Sequence, residues 1–108
     1  SCGEPNPIAW EILKDYADHF VSVPEWVAAK GMRILGNPLD ADARVVSGES
    51  GAVTTGLVAE LMQNHSLDYL RDRIGLGKDA RILCISTEGD TDRTHYRRVV
   101  WDGLYPSY

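Results

Sequence analysis

Only two cysteines occur in the 108 residues, Cys2 and Cys84, and no CxxC pair is present. The three histidines, His19, His65 and His95, stand far apart, with no second His or Cys at ligand spacing. Together these absences speak against a disulfide framework and a zinc site. The histidines read as surface or capping residues, and Cys84, inside an apolar run, as a small core residue. No apolar run approaches the ~20 residues that span a bilayer, and no basic, apolar and small-residue leader opens the chain. The expectation is a cytoplasmic protein with no membrane partner. A basic excess is also missing: the net charge is −5, which argues against nucleic acid as a partner. Arg93, Arg97 and Arg98 cluster, but carboxylates surround them, as on a solvated helix face. Neither GK[ST] nor GxGxxG occurs, so phosphate-loop and dinucleotide fingerprints are excluded.

What remains is 44% hydrophobic and 25% charged, the balance of one globular unit spanning 1–108. The chain opens without methionine, as a piece cut from something longer would. Asn6, between Pro5 and Pro7, is a candidate cap for a first helix with Ile8, Ile12, Leu13, Tyr16, Ala17 and Phe20 on its apolar spacing. Phe20–Val23 reads as a short strand. Ser22 and Glu25 have capping-box spacing before a second helix that runs through Leu35. A loop, "GNPLDADA", leads to the strand "RVVS", the turn "GESG" and a third helix with Val53, Leu57, Val58, Leu61 and Met62 on one face. A short helix from about Leu67 to Ile74 stops at Gly75 and Gly77. The strand "RILCIS" follows, then a last helix that ends at Gly103. Strands alternating with helices predict an α/β fold built on a mostly parallel sheet, with ligands bound beyond the strand ends.

Two turns lie at such ends. "SGESGA", Ser47 to Ala52, has glycines that would let a ligand approach the backbone. Glu49 would repel a phosphate there, and as a purely structural turn Ser50 would cap the third helix. The second, "STEGDTD", allows three readings. Its oxygens suit a hard cation, although EF-hand spacing is absent. Asp90 or Thr91 could cap the last helix, with Asp92 near its positive end. A hydroxyl at the strand tip could bond a ligand atom. Spacing alone favours capping.

Over long runs, "CGEPNPIAWEIL", "VPEWVAAKGMRILGNP", "VVSGESGAV" and "STEGDTDRTHYRRVVWDG", the sequence resembles the carboxyl-terminal part of the diaminopropionate ammonia-lyases. These are fold type II pyridoxal-phosphate enzymes related to the tryptophan synthase beta chain and threonine dehydratase. The resemblance implies pyridoxal 5'-phosphate as cofactor, an amino-acid substrate, and α,β-elimination of 2,3-diaminopropionate to pyruvate and ammonia. It places Ser86, with Thr87 as the alternative, at the pyridine nitrogen. There a neutral hydroxyl does not hold a proton on the nitrogen and so tempers the electron sink. It also places Glu49 beside the ring, with Gly48 and Gly51 allowing close approach. The family's Schiff-base lysine, its phosphate loop and its acid-base aspartate have no match here: Lys14, Lys30 and Lys78 lie in helical or loop contexts. This chain thus supplies no catalytic residue, only one wall of a cofactor pocket, and alone should be inactive. Apolar faces left uncovered imply a homodimer or other self-association. A threonine or serine dehydratase of the same superfamily and an independent small interaction domain are the competing readings.

Overall fold

The computed structural model describes residues 6–107; Cys2 and Pro5, and any part they play, lie outside them. Among the described residues five α-helices carry the fold: α1 (Pro7–Tyr16), α2 (Glu25–Gly36), α3 (Glu49–Gln63), α4 (Asp68–Ile74) and α5 (Arg93–Val100), with a 3-10 turn at His65–Leu67 before α4. Among the described residues there is no strand, so the expected α/β fold with a parallel sheet is overturned.

Of the three runs taken for strands, Phe20–Val23 is irregular with Phe20 and Val21 exposed, and the other two show why. A strand exists only through a hydrogen-bonded neighbour, and its propensity is largely a preference for a packed, pleated surface. The Val45 N–H is instead donated to the Leu35 carbonyl at the end of α2, 2.9 Å away. The runs ending at Ser47 and Ser86 form no ladder: they meet at their tips through the Ser47 side chain, and one backbone bond, Gly48 N–H to the Glu88 carbonyl at 2.9 Å, lies just past their ends. Ile82, Leu83 and Ile85 are exposed rather than sandwiched. Cys84 is likewise an exposed free thiol, not a core residue.

The helix ends follow local chemistry with three departures. Asn6 caps α1 as expected, its side-chain oxygen accepting from the Ile8 and Ala9 N–H groups, and Gly75 closes α4 in the left-handed region at φ 85°. The box expected from Ser22 and Glu25 does not form, because Pro24 is the N-cap of α2 and no side chain bonds there. Gly48, not Ser50, is the N-cap of α3. Asp92, not Asp90 or Thr91, caps α5 by accepting from the His95 N–H.

Packing centres on α2, α3 and α5. Ala29, Met32, Ala52 and Val99 form the buried cluster, with Leu35, Tyr96, Val100 and Leu104 against it. The α2–α3 crossing is set by two reciprocal glycines: a Cβ on Gly31 would run into the Ala52 carbonyl, and one on Gly56 into the Val27 carbonyl. Backbones therefore touch where side chains would otherwise separate them. The buried stripe of α3 accordingly carries Ala52, Gly56 and Glu60, at i, i+4 and i+8; of the five apolar residues expected to share a buried face only Leu61 is buried, while Val53, Leu57, Val58 and Met62 are half-buried. Glu60 is buried against Lys30 of α2, Nζ to Oε1 2.5 Å, and also accepts from Asn64 at 3.2 Å. The Lys30 hydrogen bond, helped by Asn64, outweighs burial and holds the Glu60 pKa below the ordinary glutamate value. Arg33 joins α2 to the end of α5: Nε donates to the Val99 carbonyl at 3.1 Å, and the guanidinium also reaches the Leu104 and Tyr105 carbonyls. It thereby satisfies a carbonyl that the helix terminus leaves open.

Candidate functional site

The two turns singled out in the sequence come together. Ser47 precedes α3 and is wholly buried. Its Oγ lies 2.8 Å from Ser86 Oγ, 3.2 Å from the Glu88 carbonyl and 3.3 Å from the Gly48 carbonyl. With the Gly48–Glu88 backbone bond, these contacts dock residues 86–88 onto the start of α3. The docking requires glycine. A Cβ on Gly51 would sit 2.8 Å from Ser86 Oγ and 2.9 Å from the Glu88 carbonyl, and one on Gly48 would strike the Glu88 carboxylate. Both glycines are buried against this chain's own 86–89 segment.

Ser86 and Thr87 are exposed. Ser86 holds one hydrogen bond to Ser47, and a hydroxyl with one donor and two lone pairs retains capacity for another partner. Glu49 opens α3, where a carboxylate is favoured by the helix dipole. Its Oε1 is 2.7 Å from Nε2 of His95 in the first turn of α5. That pair ties the two helix starts across a cleft of about 260 Å³. Around it stand Gly48, Glu49, Ser50, Glu88, Asp90 and His95. Four carboxylates, with Asp92 the fourth, face one imidazole there, so the cleft suits neither a phosphate nor any other anion. Among the described residues no three His, Cys, Asp or Glu side chains are placed to hold one metal ion, and no helix is long and apolar enough to cross a membrane.

Two members of this arrangement were not singled out in the sequence. Ser47 stands at the end of an apolar run with nothing to separate it from a turn serine. His95 pairs with a residue 46 positions away, a contact that no local spacing encodes.

The fit to a pyridine-type cofactor rests on the hydroxyl at Ser86: exposed, anchored on one side, and chemically able to donate to a ring nitrogen. Of the residues expected at a cofactor, Gly48 and Glu49 line the cleft, whereas Ser86, Thr87 and Gly51 do not.

No family model matches the chain. It is 53% identical over 105 residues to diaminopropionate ammonia-lyase of Escherichia coli (strain K12), and 46% identical over 104 residues to that of Salmonella typhimurium (strain LT2). These alignments take in 97% and 95% of the chain and 26% of each relative, so the chain spans about a quarter of the length of the curated relatives it matches. Among solved structures, the Escherichia coli enzyme in complex with D-serine superposes with a TM-score of 0.90 at 52% identity, covering 98% of this chain and 27% of that one. The same enzyme in complex with an aminoacrylate-PLP azomethine reaction intermediate gives a TM-score of 0.90 at 52% identity, covering 98% and 28%.

Proposed function

We propose, from kinship with the diaminopropionate ammonia-lyases over nearly its whole length, that this chain is one unit of a larger pyridoxal-phosphate-dependent lyase. The intact protein converts 2,3-diaminopropionate to pyruvate and ammonia, and this unit forms one wall of its cofactor site. When bound, pyridoxal phosphate supplies the electron sink for the elimination. The chain's own contribution is to hold and orient. Ser86 donates its hydroxyl hydrogen to the ring nitrogen, Glu49 borders the ring with its carboxylate held by His95, and Gly48 and Gly51 keep the turn close enough for both. Thr87 is the alternative donor to Ser86. Exposed apolar side chains on α1 and the 82–85 run support self-association of the unit.

The observation that carries this reading is the meeting of Ser86, an exposed residue, with the Ser47–Gly51 turn, Oγ to Oγ 2.8 Å. Likeness to one named enzyme over this whole length also favours it over a dehydratase or an independent interaction module.

The test is cofactor dissociation in the intact protein. Ser86→Ala leaves a ring nitrogen unpaired, a loss of about 1 kcal/mol or more, and is expected to weaken binding by about tenfold. Ser86→Asp, whose carboxylate favours a protonated ring nitrogen, moves the pH at which the bound cofactor's absorbance changes upward. Unchanged affinity and spectra in both variants would transfer the role to Thr87.

A further inference from the structure

We infer that Ser47 is a positioning residue, which turns the single hydrogen of the Ser86 hydroxyl outward. This deepens the proposed role of Ser86 and rests on it. The Ser47 hydroxyl is wholly buried, so its hydrogen has no water to go to and must find an acceptor in the protein. Three are near. Ser86 Oγ at 2.8 Å has the usual length of an O–H···O bond, whereas the carbonyls of Glu88 at 3.2 Å and Gly48 at 3.3 Å lie beyond it. The Glu88 carbonyl also already accepts from Gly48 N–H at 2.9 Å. The buried hydrogen is therefore best placed on Ser86.

That choice decides what Ser86 offers. A serine hydroxyl has one hydrogen and two lone pairs. Once a lone pair of Ser86 accepts from Ser47, its own hydrogen is free on the exposed side, and the residue presents a donor. The matching ligand atom is an unprotonated aromatic nitrogen. Were the bond reversed, Ser86 would present only lone pairs and would select a protonated nitrogen. Gly51 makes the arrangement possible, because any side chain there would occupy the space between the two hydroxyls and the helix: its Cβ would lie 2.8 Å from Ser86 Oγ.

The experiment uses the intact protein and two probes, pyridoxal phosphate and its analogue with carbon in place of the ring nitrogen. Dissociation constants are measured for the parent, Ser47→Ala, Ser86→Ala and the double variant. Ser47→Ala is expected to weaken pyridoxal-phosphate binding about fivefold, to leave the analogue's affinity unchanged, and to add nothing further in the Ser86→Ala background. Equal losses for both probes, or additive losses in the double variant, would overturn the inference while the Ser86 reading stood. No change in Ser86→Ala would overturn both. Should Ser47→Ala fail to fold, Ser47→Cys, with a similar shape and a weak donor, carries the same comparison with a smaller loss confined to pyridoxal phosphate. An equal loss for both probes in that variant also defeats it.

Discussion

The α2–α3 seam and the 82–85 run differ in a way that their compositions do not announce. Beside Val27, Met32 and Leu61, the seam buries Ala28, Ala29, Gly31, Ala52, Gly56 and even Glu60, so small and charged residues are taken inside along with large apolar ones. The run places Ile82, Leu83 and Ile85 in solvent, Leu83 at 86% exposure. Burial here follows access to a partner surface, which close backbone approach at Gly31 and Gly56 supplies to large and small side chains alike. Where two helices can touch through glycine, a glutamate can be carried inside beside its lysine. Where no neighbour is present, leucine stays outside.

The sharpest way to break the seam is to strand its charge. Lys30→Met leaves Glu60 buried without its ammonium, and a loss of about 3 kcal/mol in unfolding free energy is expected at neutral pH. The pH dependence gives the assignment away. Since the folded pKa of Glu60 is held below the ordinary glutamate value, the pair's contribution is fully present above that value and is lost as pH falls through the lowered folded pKa. The gap between parent and Lys30→Met should therefore close in acid when urea unfolding is repeated across pH. A gap independent of pH would mean that the loss comes from packing of the lysine stem.

Gly31→Ala probes the approach itself. In an open helix this change gains about 1 kcal/mol in propensity. Here the added Cβ meets the Ala52 carbonyl, which is backbone and cannot swing away, so a net loss of about 2 kcal/mol is expected from urea unfolding. A neutral or stabilised variant would show that the helices cross farther apart.

A smaller effect separates the two readings of the acidic turn. Asp92→Ala removes the oxygen that accepts from His95 N–H at 3.0 Å, and the expected fall is about 1 kcal/mol, seen as a lower Tm. Asp90→Ala and Thr91→Ala should leave Tm nearly unchanged. The sequence narrowed this cap to within two residues, because Asp and Thr at 90–92 all qualify by type, and only the turn geometry selects among them. The same limit explains the other helix starts. Asn6 was legible since one residue of the right type precedes a proline, whereas Ser22 lost its role when Pro24 became the N-cap. The helices were readable from their 3.6-residue period and, for α4, from its Gly75 stop, although α5 ends at Val100, before Gly103, and α1 at Tyr16, before Phe20. The sheet was not, because apolar runs such as Arg44–Ser47 and Ile82–Ile85 carry a preference for neighbours and no information about whether the neighbours are in this chain. In the site, the residues on turns were visible by type. The Ser47–Ser86 and Glu49–His95 contacts were not, being separations of 39 and 46 residues that only the packing of α3 and α5 brings together.

The least effect on stability is expected at the exposed run, and that is what makes it informative. In the isolated chain, Leu83 and Ile85 are mostly solvent-facing at 86% and 65% exposure, so Leu83→Lys with Ile85→Lys removes little burial and should change unfolding free energy by no more than about 0.5 kcal/mol. The pair should act on association instead. Apolar side chains in a continuous run are a surface that seeks a partner, and two ammonium groups placed on it would repel a second copy. Sedimentation across a concentration series is expected to show a chain that self-associates and a double variant that does so far less, with their Tm values alike at low concentration. If instead the variant unfolds about 2 kcal/mol more easily under dilute conditions, the run is packed in solution, and its contrast with the seam dissolves.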